Sequence, residues 1–354
     1  MKQRDLFAAT VAHEPHDPYL FYANFTPAAD EKLRRAYGLA QTVDLRKTFN
    51  MYDPAEVSPQ PPPDLVTPDF QHYFADMDIP AGAFINRLGV LEIPGSLYHF
   101  THYVSPLRHA ERLEEILDFP YPSVDGYLVD HMAEAARQAK AAGRVTCCHL
   151  VHMYEDAWQI RGYEPFLMDM LTNPEICAYI LDQIADKNLK KAEAAARAGV
   201  DVLISGDDVA NQRSLMFAPE LWRRFIKERW ARVYAAARAI KPDIQIWYHS
   251  DGNIMSILPE LIEIGVTILN PVQPECMDLA AVKRLYGRQL VLDGTIGTQT
   301  TFPFGTPQDI RAVIQDRIEN LGADGALMLS PTHVLEPEVP LENMLAFLEA
   351  CQQK

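Results

Sequence analysis

A (β/α)8 TIM barrel with an N-terminal extension and rim insertions is the fold class predicted for this 354-residue chain. Three observations predict it. From residue 145 onward, short apolar runs alternate with amphipathic helical segments six times, the rhythm of βαβ units and a parallel sheet. The residues upstream leave room for two more such units. The chain also has neither G-x-G-x-x-G nor G-x-x-x-x-G-K-[ST], the phosphate loops expected of a doubly wound open sheet. The length suits one barrel domain over residues 1–354.

In chain order, Arg4 to His13 reads as a short helix, and Tyr19-Leu20-Phe21-Tyr22 as the first strand. Ala28 to Gly38 is helical, with Asp30, Glu31, Lys32, Arg34 and Arg35 on its wet face. Prolines 54, 59, 61, 62, 63 and 68 make the stretch from Tyr52 to Pro68 an ordered excursion without regular structure. Gly89 to Gly95 followed by Leu97-Tyr98-His99-Phe100 predicts a β-hairpin near the barrel rim.

The regular part begins with a helix over Tyr127 to Ala142 and a strand over Val145 to Leu150. A long helix opens at Asn173-Pro174-Glu175, an N-cap followed by proline at the first helical position, and ends at Gly199. Strands are then expected over Val200 to Ser205, Ile244 to Tyr248, Val266 to Asn270, Gln289 to Leu292 and Ala326 to Leu329. The helices between and after them run over Pro219 to Ile240, Ile257 to Ile264, Leu279 to Tyr286, Thr306 to Gly322 and Leu341 to Cys351.

Charge and cysteine usage bound the partners. A net charge of −16 argues against nucleic acid or an anionic membrane surface, which demand clustered Lys and Arg. The five cysteines are odd in number and show no CxxC spacing, as expected of free thiols in a cytoplasmic protein. No secretory signal is apparent, and no apolar run is long enough to span a bilayer. A small molecule is the expected partner; nothing in the sequence decides between a monomer and a homodimer.

In a parallel barrel, residues just after the strands converge on one mouth. Here they are His149, His152, Glu155 and Asp156; Asp207, Asp208 and Gln212; His249 and Asp251; Asn270, Gln273, Glu275 and Cys276; Asp293 and Gln299; Thr332 and His333. Nitrogen, sulfur and oxygen donors from several strands suit a borderline-soft ion such as zinc. His249 and Asp251, two residues apart at a strand end, are equally able to form an acid–base pair. Plainer readings stand beside these. Asp favours turn positions for backbone hydrogen bonding, and a lone Cys such as Cys276 packs as a small hydrophobe. Of His149 and His152, one is expected to face the mouth. Trp158 and Arg161 either line a cleft or pack the rim.

Several segments together resemble the uroporphyrinogen decarboxylase superfamily: Ala157-Trp158-x-x-Arg161-Gly162-Tyr163-Glu164, Gly206-Asp207-Asp208, His249-Ser250-Asp251-Gly252, Asn270-Pro271-Val272-Gln273 and Ser330-Pro331-Thr332-His333. The resemblance implies a (β/α)8 barrel. The Arg-Gln-Ala-Gly-Arg motif of the haem-pathway decarboxylases is missing; Tyr22-Ala23-Asn24-Phe25 stands in that region. The similarity points to the corrinoid-linked methyltransferase branch, in which a His-x-Cys pair and a later Cys bind zinc. His249 occupies the His position, Asp251 replaces the first Cys, and His333 lies near the second. The resemblance thus implies a zinc-assisted methyl transfer between a small methylated substrate and a corrinoid on a separate protein. Its metal ligands would be His249, Asp251 and His333, with Cys276 as substitute. Asp207 or Asp208 would handle the proton, and His152, Trp158, Arg161, Gln212, Gln273 and Gln299 would contact substrate. The alternative is a decarboxylase or other lyase acting on a small carboxylic acid in the same pocket.

Overall fold

A computed structural model describes residues 2–95 and 101–352. At its centre is a curled parallel sheet of seven strands: β1 (Ala55–Glu56), β5 (Thr146–His149), β6 (Val202–Gly206), β7 (Gln245–His249), β8 (Ile268–Asn270), β9 (Val291–Asp293) and β10 (Leu327–Met328), adjacent in that order. Between β1 and β5 the chain makes a separate antiparallel sheet of β2 (Phe84–Ile85), β3 (Leu91–Pro94) and β4 (Thr101–Val104). The expected rim hairpin is thus a three-stranded ribbon; the segment 97–100 assigned to its second arm lies outside the described residues.

Seven strands, not eight, make the parallel sheet, but its two edges are linked. Tyr22 N donates to Leu329 O and Leu329 N to Leu20 O, while Tyr52 N donates to Phe21 O on the other side. The segment expected as a first strand therefore bridges the β10 edge to the chain leading into β1, with too few ladder bonds to form a regular strand. The proline-rich excursion contains a strand after all. Ala55 N bonds Val145 O and Val57 N bonds Cys147 O, pairings that need only the few residues between Pro54 and Pro59.

Alternation along the strands separates two cores. Val145, Cys147, Val202, Ile268, Val291 and Met328 form an inner cluster with Leu6 and Phe7 of the first helix, Gln3–Val11. That helix closes one end of the curled sheet. On the outer side, Leu203, Ile246, Tyr248, Leu269 and Leu292 pack among the helices, where each fully buried aliphatic side chain contributes about 1.5–3 kcal/mol.

Helix ends follow local chemistry. Thr306 and Asp309 form the reciprocal cap of Pro307–Asn320, Thr306 N donating to Asp309 Oδ2 at 2.8 Å. Asn173 precedes Pro174–Arg197 but does not cap it; its Nδ2 donates instead to Asp169 Oδ1 at 3.0 Å. The helix expected over Pro219 to Ile240 contains a π turn at Arg223–Lys227. No helix among the described residues is long and apolar enough to cross a membrane.

Candidate functional site

A cavity of about 530 Å³ opens inside the sheet. Val202, Ile204, Ile268 and Met328 line its depth, and His149, His152, His249 and His333 its mouth. Both His149 and His152 face it, although the sequence predicts that one turns away.

Among the described residues, two clusters of ligand-type side chains have donor atoms within 4.8 Å of one another: Asp208–His249–Asp251 and Glu56–Cys147–His149. They differ in chemical character. In the second, His149 Nδ1 lies 2.6 Å from Glu56 Oε2, a hydrogen bond. Glu56 also accepts from Ser58 Oγ, Cys147 Sγ and His149 N. Although burial opposes its charge, those donors and the His149 ring hold the Glu56 carboxyl down at about 2. The cluster is complete as a hydrogen-bonded unit.

In the first cluster no hydrogen bond joins the three side chains. His249 Nε2 lies 3.6 Å from Asp208 Oδ1 and 3.9 Å from Asp251 Oδ1, too far for hydrogen bonds. Asp251 Oδ1 is screened from solvent and has no hydrogen-bond partner among the described residues. The His249 tautomer is set by the residues behind it. Asp293 is fully buried and accepts from Tyr22 Oη at 2.7 Å, Trp247 Nε1 at 3.0 Å, Asn270 Nδ2 at 2.9 Å and Ser330 Oγ at 2.7 Å. Because Asn270 must point its amide nitrogen at that carboxylate, its Oδ1 faces His249 Nδ1 at 2.8 Å and accepts from it. Nδ1 thus carries a proton, and Nε2 faces two carboxylates. Burial, followed by the charges of Asp208 and Glu155, pushes the Asp251 carboxyl up, against the opposing pull of His249 and His333. Three ligand-type side chains with no hydrogen bond between them could hold a divalent cation, and the Asp293–Asn270–His249 chain is the kind of outer support that orients a metal-ligating His.

His152 adjoins this cluster, its ring 6.0 Å from that of His249 at 29°. Burial disfavours its charge, but the Glu155 carboxylate, 2.8 Å from Nδ1, outweighs it, and the ring is pushed up to about 9. Glu155 Oε1 also accepts from Asp208 N at 2.7 Å, so one carboxylate ties His152 to the acid cluster.

Other sequence candidates fall elsewhere. Asp207 is fully buried below the mouth, accepting from Tyr154 N and Trp230 Nε1, each at 2.6 Å. Burial, then the Glu155 charge, raises its carboxyl well above the usual range. Arg161 is buried against Asp169 at 2.7 Å and donates to the carbonyls of Leu107 and Ala110, a rim-packing role. Trp158 packs edge-on between Tyr103 and Tyr163. Gln212 and Gln299 bond each other at 2.7 Å on the surface. Gln273 is buried, its Oε1 accepting from Gly252 N at 2.6 Å and from the Cys276 thiol at 3.3 Å. Cys276 is therefore outside the ligand cluster. His333 is exposed and lines the mouth, near enough to Asp251 to influence its charge but outside that cluster too. Asp208, and neither Cys276 nor His333, joins His249 and Asp251 in the candidate cluster.

Sequence reading missed Glu56, Arg46, Tyr22 and Asn24 as cavity residues. Glu56 is hidden among prolines, and its one signal is the short Ala55-Glu56-Val57 run free of them. The turn after β7 is sterically exacting. Gly252 has φ +88°, and a Cβ there would sit 2.5 Å from Asn211 O and 2.8 Å from Ala210 O. Gly252→Ala should destabilise the protein by about 2–3 kcal/mol in denaturant unfolding. A loss under about 0.5 kcal/mol, the level of an ordinary surface substitution, would show that the turn relaxes.

A model of the uroporphyrinogen decarboxylase (URO-D) family matches residues 124–354. No curated protein matches the chain. Among solved structures, a methyltransferase from Methanosarcina mazei is similar over 100% of this chain and 99% of that one, with 16% identity and a TM-score of 0.64. A B12-independent methionine synthase from Shewanella sp. W3-18-1 in complex with selenomethionine is similar over 62% of this chain and 65% of that one, with 13% identity and a TM-score of 0.39.

Proposed function

The chain belongs to the uroporphyrinogen decarboxylase family, and from that premise we propose that it is a metal-assisted methyltransferase. It would move a methyl group between a small methylated substrate and a corrinoid carried on a separate protein. The observation that carries this reading is the Asp208–His249–Asp251 cluster, whose side chains make no hydrogen bond to one another, with His249 Nδ1 held by Asn270 and Nε2 turned toward the carboxylates. The overall likeness to the Methanosarcina mazei methyltransferase is consistent with it.

His249 Nε2, Asp251 and Asp208 would hold the ion, zinc by the chemistry of the donors. Zinc bound there would act as a Lewis acid on the heteroatom that carries the methyl group. His152, not Asp207, is placed to move the proton. It lines the cavity, and Glu155 keeps it charged at neutral pH, whereas Asp207 is sealed below. As methyl leaves, His152 would donate its proton to the departing atom. Trp247 stacks on His249 at 6.0 Å and 21°, holding the ring in the plane set by Asn270.

The proton role has a pH signature. Because the folded-state value of His152 is raised, its charged form persists below that value and is lost as pH rises through about 9. Methyl transfer should therefore decline above about pH 9, and His152→Gln should be slow and lack that decline. A wild-type alkaline limb that survives in His152→Gln would assign the proton to another group.

The function is tested by adding reduced corrinoid protein and methylated oxygen, nitrogen and sulfur compounds to the zinc-loaded enzyme and following corrinoid absorbance. Methylation of the corrinoid is expected. Decarboxylation of a small acid, with every corrinoid partner left unmethylated, would replace this reading by the lyase alternative.

A further inference from the structure

The charges around the cavity do not cancel locally. Its two acidic lining residues are both matched: Asp53 accepts from Arg144 Nη2 at 2.7 Å, and Glu56 is held by His149 at 2.6 Å. Arg46 is the one Lys or Arg side chain among the described lining residues, and it has no carboxylate partner among them. Its Nη1 donates to Tyr52 O at 2.5 Å and its Nη2 to Asn24 Oδ1 at 2.6 Å. A guanidinium has five N–H donors in a planar fork, so these two bonds leave it able to grip a further acceptor.

Arg46 also borders a second cavity, lined by Lys2, Lys47 and Arg144 among others. Its head group nevertheless belongs to the first. The guanidinium carbon lies 5.6 Å from the centroid of the Tyr22 ring, and Nη2 reaches Asn24; both residues line the first cavity and not the second. From Arg46 the wall continues through Tyr22, whose hydroxyl accepts from Asn270 Nδ2 at 3.2 Å, to Asn270 and His249. Aromatic faces line the space between. Tyr22 lies 6.3 Å from Tyr52, and Phe7 stacks on Tyr52 at 6.1 Å.

We infer that Arg46 anchors a carboxylate on the substrate, so that the cavity takes small acids with a planar, apolar body and presents their far end to His249. A half-buried guanidinium without a counter-ion is compensated when a carboxylate docks on it, and two parallel N–H···O bonds fix the direction of the molecule. Binding of the acid does not depend on the methyl-transfer reading; only the fate of the bound molecule rests on it, and the carboxylate names the class of methyl donor which that reading leaves open.

The test is isothermal titration of the purified full-length protein with benzoate and with benzamide, which share size and ring but differ in charge. Benzoate should bind about tenfold or more tightly than benzamide, the discrimination expected of a charge-assisted hydrogen bond. Arg46→Gln should abolish that preference while leaving benzamide binding unchanged. Lys47→Gln, which alters only the second cavity, should leave both affinities as they are. Should Arg46→Gln fold poorly, Arg46→Lys retains the charge without the fork and should lose part of the preference; the wild-type comparison of the two ligands stands by itself. Equal binding of the two ligands, no benzoate binding to the wild type, or loss of the preference in Lys47→Gln but not in Arg46→Gln would overturn the assignment. Benzoate has no methyl group to give, so a failure here leaves methyl transfer standing. A failed methyl transfer with the benzoate preference intact counts only against the proposed function.

Discussion

Replacing His249 with alanine should abolish stoichiometric zinc binding and lower corrinoid methylation by more than about 100-fold. Loss of an outer partner of a metal ligand typically costs about 10–100-fold, so loss of the ligand itself must exceed that range. The ring is partly exposed at the cavity wall, and its removal opens space toward the mouth, not within the apolar core. The barrel should therefore keep its melting temperature within a few degrees. Cys276→Ser is the matched control. Its thiol is spent on Gln273, so metal content and rate should both hold. Elemental analysis after zinc reconstitution, with the absorbance assay on the same samples, measures both. Full metal content in His249→Ala would place the ion elsewhere, and a metal loss in Cys276→Ser would restore that residue to the ligand set.

The largest effect on stability is expected at Asp293. Its buried carboxylate accepts from Tyr22, Trp247, Asn270 and Ser330, and Asp293→Ala would leave donors without partners in the protein interior. The cost should be about 3–5 kcal/mol in denaturant unfolding, a large part of what a domain has. Asp293→Asn separates architecture from chemistry. It keeps the volume and one acceptor, so less stability is lost, but Asn270 is no longer compelled to aim its amide nitrogen inward. His249 then loses its fixed Nδ1 proton, and zinc affinity should fall about 10–100-fold in a protein that still folds. If Asp293→Asn binds zinc as the wild type does, the tautomer is set by something other than this chain of bonds.

The alternation of strands and helices from β5 onward is legible because each buried strand is a short apolar run bounded by Gly, Asp or Asn, and each helix repeats its apolar residues at the helical period. Leu279–Tyr286 matches its expected bounds to the residue, and most other boundaries differ by one to five positions. The first part of the chain is less legible. β1 has two residues, and the Phe21 segment makes only isolated bridges, so neither carries a periodic signal. His249 and Asp251 can be picked out because one ends a strand and the other follows it in a turn-forming sequence. Asp208 is visible too, but as a proton carrier, since one-dimensional spacing does not tell a side chain facing the mouth from one sealed behind it, as Asp207 is. The difference is set by tertiary partners: Trp230 lies on a distant helix and Tyr154 on another.

The family match begins at residue 124, yet Phe7, Tyr22, Asn24, Arg46, Tyr52 and Glu56 all come from before it and make up one side of the cavity. The cluster that would hold the ion is encoded wholly within the matched region. On the proposed reading, part of the selectivity would lie in one stretch of the polypeptide and the reactive cluster in another. A chimera joining the leading segment of one relative to the body of another should then change which molecules bind while keeping the candidate ligand cluster intact.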